Sequence, residues 1–156
     1  MEPVNGPEHC PPWLVVALDD IGVEEIKGPE HHPRILEYHS NTGKWSRDEV
    51  AWCGSAVETW LVEAGMYGLG RKGALARAWG RYGRPAGTDE LGAICVLRRR
   101  KGGPDASTGS RWGYHAGLYL NHSRGNVVMV SGNKDDRVGV DTYSRRKWEV
   151  YAMRMP

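Results

Sequence analysis

The spacing of apolar positions changes near residue 92. Before that point they recur at intervals of three and four; after it they alternate or run in short β-branched blocks. The segment PWLVVALDDIG places Trp13, Leu14, Ala17, Leu18 and Ile21 on one helical face. Pro11 and Pro12 suit a first turn whose N–H groups are unpaired, and Gly22 is placed to stop the helix. A turn-rich break, GPEHHP, leads to a short helix, RILEYHS, and then to the polar connector NTGKWSRD. The stretch DEVAWCGSAVETWLVEAG, Asp48 to Gly65, predicts a third helix with Cys53 in its first turn. Its inward stripe is Cys53, Ala56, Val57, Trp60, Leu61 and Ala64, and Gly65 closes it. GALARAWGRYG predicts a further short helix between glycines.

From residue 92 the segments GAICVLRR, YHAGLYLN, NVVMVSGN, RVGVDTYS and WEVYAMRM predict about five strands separated by turn-formers. NHSRGN is a hairpin loop between the second and third. RKGGPDASTGSRWG, between the first and second, is long enough to carry function or simply to move. Helices first and strands second predict an α+β fold, with N-terminal helices packed on one side of a C-terminal antiparallel sheet. Residues 1–11 read as a flexible leader and 12–156 as a single domain.

Composition narrows the class. A domain of 156 residues removes roughly 70% of its unfolded surface from water, enough for a real core. Lys+Arg 21 against Asp+Glu 19 is nearly balanced, which does not favour nucleic acid as a partner. No apolar run approaches the ~20 residues that span a bilayer, and the polar, proline-rich start does not read as a signal peptide or membrane anchor. Cys10, Cys53 and Cys95 match no zinc spacing and read as free thiols; no cofactor or metal is expected.

A nucleophilic cysteine needs a helix N-terminus that favours the thiolate, an imidazole to take its proton, and a polar group to fix the imidazole tautomer. Cys53 meets the first condition. His115, near the start of YHAGLYLN, shares a strand face with Gly117 and Tyr119 and can project toward the cysteine helix. Met129, Ser131 and Asn133 share a face of the next strand. If the two strands pair, Asn133 can accept a hydrogen bond from His115 Nδ1–H. Each residue also has a plainer reading: Cys53 as a small core hydrophobe, His115 as a satisfied structural residue, SGNKDD as a turn.

The ordered set PWLVVALDDIGVEE, ILEYH, DEVAWC, GYHAGLYL and GNKDDRV, from about Pro12 onward, resembles the CHAP and NlpC-type cell-wall hydrolases, and most of all their phage-associated branch. The resemblance implies a papain-like fold, nucleophile Cys53, general base His115 and orienting residue Asn133. Ser131 stands where many CHAP members carry an acidic residue, and Trp52 where others carry a small one. The implied activity is bacteriolytic: cleavage of peptidoglycan at a stem-peptide bond or at the amide joining stem to glycan, as in an endopeptidase or N-acetylmuramoyl-L-alanine amidase of an endolysin or tail-associated lysin. With no signal peptide read at the start, the expected location is the host cytoplasm before release to the wall through a holin or other delivery component, or delivery with a phage or secretion particle. The rivals are an effector protease acting on protein and a wall-binding module without turnover.

Other groups have plainer explanations. His31 and His32, with Cys10 or His39, form a weak metal pattern and fit a solvated turn better. Arg98 to Lys101 read as a charged strand end, Cys95 as a buried, inert thiol. Trp45, Trp52, Trp79 and Trp112 either shape a substrate groove or, in a chain with seven Trp and no Phe, supply the aromatic core.

Overall fold

Helices do occupy the first half of the chain and strands the second. The computed structural model describes residues 10–27, 30–43 and 51–156; most of the expected leader, and Trp45 and Asp48 of the expected connector and helix start, lie outside them. Helix α1 spans Pro12–Asp19, α2 Pro33–Asn41 and α3 Cys53–Glu63. Proline opens both α1 and α2, and His32 caps α2 by accepting the Arg34 N–H at Nδ1, 3.0 Å.

Two expectations about the helices are corrected. Leu18 and Ile21 are exposed, because α1 stops at Asp19 and the next residue turns its carboxylate inward instead. Asp20 Oδ2 accepts hydrogen bonds from Tyr38 Oη at 2.6 Å, Trp60 Nε1 at 2.9 Å and Arg34 Nε at 3.0 Å, joining all three helices through one oxygen. The helix expected in GALARAWGRYG is instead 3-10 structure, Gly70–Ala74 and Ala76–Arg81. Glycine disfavours the α-helix, and the tighter winding lets Trp79 fold back, its indole N–H donating to Gly73 O at 2.9 Å.

The strands are β1 Arg84–Pro85, β2 Ile94–Arg99, β3 Tyr114–Ser123, β4 Asn126–Lys134, β5 Arg137–Tyr143 and β6 Trp148–Met155. They form one sheet in the order β1-β6-β2-β3-β4-β5 with antiparallel neighbours. The five expected strands are all present; β1 is a two-residue addition on β6. The loop expected over NHSRGN shrinks to Arg124-Gly125, with φ of 52° and 82°, and β4 turns into β5 at Asp135-Asp136, with φ of 53° and 62°. Paired left-handed residues of this kind match the right-handed twist of the strands that they join.

Helix α3 lies at the centre. Every residue from Cys53 to Leu61 is buried, so the amphipathic stripe understates its packing. Its polar groups are satisfied internally: Ser55 bonds Thr42 at 2.8 Å, Thr59 Oγ1 donates to Ser55 O at 3.0 Å, and Glu58 accepts the N–H groups of Leu69 at 2.9 Å and Gly70 at 2.5 Å. Glycine permits the two closest approaches. A Cβ on Gly54 would stand 2.3 Å from Gly73 O, and one on Gly132 of β4 would stand 2.4 Å from the Trp52 ring.

Because Gly73 O is backbone, it has little room to retreat. Gly54→Ala is therefore expected to destabilise the protein by about 2 kcal/mol or more, as overpacked cores do, read as a lowered denaturation midpoint in urea.

Candidate active site

Cys53 is the first residue of α3 and is 6% exposed. The first amide with an acceptor inside the helix turn is Ala56, whose N–H bonds Trp52 O at 2.9 Å. The N–H groups of Cys53, Gly54 and Ser55 therefore point out of the helix N-terminus, where partial positive charge accumulates. Backbone N–H groups of Ala116, Gly54 and Cys53 itself favour the thiolate, but burial outweighs them and the thiol pKa is raised. The sulfur thus lies beside the Ala116 N–H, one residue past His115.

His115 does not project toward α3 as expected. The face of β4 that bears Gly132 receives Trp52 and Ala56, whereas a Cβ on Gly117 of β3 would meet Ser131 Cβ at 2.7 Å. Gly117, Ser131 and, by alternation, His115 therefore share the opposite face. There the imidazole is fully buried between the rings of Tyr143 and Trp148, with centroids 5.5 and 6.3 Å away. Its Nε2 lies 2.9 Å from Ser131 Oγ and 3.0 Å from Tyr143 Oη, and the two hydroxyls are 2.9 Å apart. Nδ1 has no hydrogen-bond partner among the described residues.

Asn133 has a different partner from the one expected. Its Oδ1 accepts the buried N–H of Trp52 at 2.7 Å, fixing the residue immediately before the cysteine. A φ of 67° at the end of β4, which asparagine tolerates better than most residues, turns the carboxamide toward α3. The expected bond to His115 Nδ1 is replaced by this anchor, and orientation of the imidazole passes to Ser131 and Tyr143. Ser131 was visible in the strand as the residue two before Asn133. Tyr143 was not, because it lies two strands from β3 in the sheet order and only the curl of the sheet carries its hydroxyl to His115.

The loop between β2 and β3 is pinned rather than loose. Asp105 pairs with Arg99 at 2.7 Å and accepts from Ser107 Oγ and from Thr108 N and Oγ1, at 2.8, 3.0 and 2.8 Å. The Asp135 N–H donates to Ser107 O at 2.7 Å, and a Cβ on Gly109 would stand 3.2 Å from Asn133 Nδ2. Both contacts hold the loop against the Asn133 end of β4. Burial lowers the His115 pKa to about 3; Asp105 opposes that shift and Lys134 adds to it. At neutral pH the two groups are thus a thiol and a neutral imidazole. With a proton on Nε2, Nδ1 presents the free lone pair of a general base.

The other aromatic and basic candidates divide cleanly. Trp52 and Trp79 are core, and Trp112 is 70% exposed. Arg98 and Arg100 approach Glu149 at 3.7 and 3.9 Å, as a charged strand end would. No group of three or more His, Cys, Asp or Glu placed to hold a metal occurs among the described residues. Cys95 is fully buried, and its thiol pKa is pushed up to about 12. Comparison with protein-family models, curated proteins and solved structures found no match.

The low pKa of His115 sets the sign of a pH effect. Below pH ~6.5 the unfolded chain binds a proton on this residue that the native state refuses until about pH 3, so stability falls as pH falls through that window. Between pH 6.5 and 5, mostly above the carboxylate range, urea unfolding should lose up to about 1.4 kcal/mol per pH unit from this group. The slope should flatten in His115→Asn.

Proposed function

We propose that the chain is a cysteine-dependent amide hydrolase with Cys53 as nucleophile and His115 as base. On the strength of the sequence resemblance, we assign it a papain-like fold of the CHAP and NlpC type and peptidoglycan as substrate. The observation that supports the reading is the buried Cys53 thiol in the first turn of α3, packed near Ala116, whose strand neighbour His115 is a neutral, hydroxyl-bonded imidazole on the other face of the sheet. The helical layer against an antiparallel sheet is compatible with it.

In this mechanism the sulfur attacks the amide carbonyl carbon and its proton passes to His115 Nδ1, a transfer that requires the imidazole to turn from the opposite sheet face, where Ser131 and Tyr143 hold it, toward α3. The oxyanion is stabilised at the helix start, where the Cys53 N–H is one of the donors. His115 then gives its proton to the leaving amine, and the acyl-enzyme is released by a water whose proton returns to the imidazole. Asn133 acts earlier than the chemistry, by fixing the turn that aims the sulfur. Delivery through a holin or another component accompanies the endolysin form of this reading.

A second reading, a wall-binding module of the same fold without turnover, draws on the complete burial of His115 and the raised pKa of Cys53. Digestion of purified peptidoglycan separates the two, with mass spectrometry assigning each new amine or stem fragment. Turnover is expected in the unaltered protein and in Cys95→Ala, and a loss of at least a thousandfold in Cys53→Ala. Equal product in Cys53→Ala would remove the nucleophile assignment. Cleavage of unfolded protein but not of peptidoglycan would instead move the substrate to polypeptide.

A further inference from the structure

The face of the sheet that holds His115 continues along β3 to a second feature that the Cys53 chemistry does not use. Gly117 and Tyr119 follow His115 on that face, and Tyr119 lies four residues on, roughly 13 Å away. Here a groove of about 510 Å³ opens between the turn after β1, the end of β3 and the turn between β5 and β6. Sites for small ligands have volumes of roughly 300–1,000 Å³. Its apolar lining includes Val127, Val150 and Met153 from β4 and β6.

Two kinds of charged group border this apolar surface. Tyr119 Oη donates to Asp89 Oδ1 at 3.0 Å and lies 3.0 Å from His122 Nδ1, which is itself 3.0 Å from Asp89 Oδ1. Asp89 Oδ1 is thus engaged, and Oδ2 has no partner among the described residues. Arg145 is held by its backbone: its N–H donates to Asn126 Oδ1 at 3.2 Å and its carbonyl accepts from Arg100 Nε at 2.7 Å. Its guanidinium enters no ion pair among the described residues. Asp89, Tyr119, His122 and Arg145 all line this one groove.

We propose that this groove binds a short zwitterionic peptide, with its terminal carboxylate on Arg145, its amino group on Asp89 Oδ2 and an apolar side chain against Val127, Val150 and Met153. A planar guanidinium offers a carboxylate two parallel hydrogen bonds. The carboxylate of Asp89 disfavours phosphates and other polyanions. The site is independent of the Cys53 chemistry and would stand if that chemistry were absent.

The test is titration calorimetry of the full chain with the dipeptide Ala-Leu, beside its C-terminal amide and its N-acetyl form. Saturable binding of Ala-Leu is expected, weakened at least tenfold by amidation or by Arg145→Gln, and likewise by N-acetylation or Asp89→Asn. Both substituted residues are exposed, and Arg145→Lys should restore part of the loss. In the unaltered protein, Ala-Leu should shift the methyl resonances of Val127 and Met153. Absence of saturable binding, or affinity unchanged in both Arg145→Gln and Asp89→Asn, would overturn the proposal.

Discussion

The first turn of α3 is wedged between two backbones, and most of the architecture follows from that. On one side Gly54 lies against Gly73 of the 3-10 segment; on the other, Gly132 of β4 lies under Trp52 and Ala56. Neither approach has room for a methyl group. The Asn133 bond to the Trp52 N–H then sets the position of the turn along β4. Helix, 3-10 segment and sheet are thus fixed together around the turn that bears Cys53. Two carboxylates serve the same end: Glu58 of α3 secures the 3-10 segment, and Asp20, after α1, gathers α1 and α2 around Trp60.

This packing shapes the chemistry available to Cys53 and His115. Close burial removes water, which raises the cost of a thiolate and of an imidazolium together. The hydroxyls of Ser131 and Tyr143 hold the ring without supplying the negative charge that a carboxylate would. Both groups are therefore neutral at neutral pH. In the proposed hydrolase the helix N-terminus would have its largest effect at this site, because donors already oriented in a dry site need no reorganisation as an oxyanion forms.

The α+β order was legible because each half of the chain keeps one hydrophobic period, and the five principal strands announced themselves through β-branched blocks between turn-formers. Cys53 on the α3 stripe and His115 in its strand were legible for the same reason. What escaped was set by contacts distant in sequence. Strand alternation identified which residues travel with His115 but not which face the helices cover. The roles of Asn133 and Tyr143 depend on a bulged register between Ser131 and Lys134 and on the curl of the sheet, neither of which leaves a local signature. Likewise, Leu18 and Ile21 fitted the α1 stripe but are exposed, whereas Asp20 faces Tyr38 and Trp60.

The strand order carries a consequence for assembly. β6, among the last residues of the sheet to be synthesised, lies between β1 and β2, and its pairing with β2 joins Ile94 to Arg154. Until residues through Met155 have left the ribosome, β2 has an unfilled edge and the Arg84–Pro85 strand has no neighbour. The helices and the β3-β4-β5 meander can form from local contacts while the nascent chain is still tethered. Closure of the sheet, with the fixing of Trp148 over His115, is left as a late and long-range event. The burial of His115 is therefore completed only once β6 has joined β2.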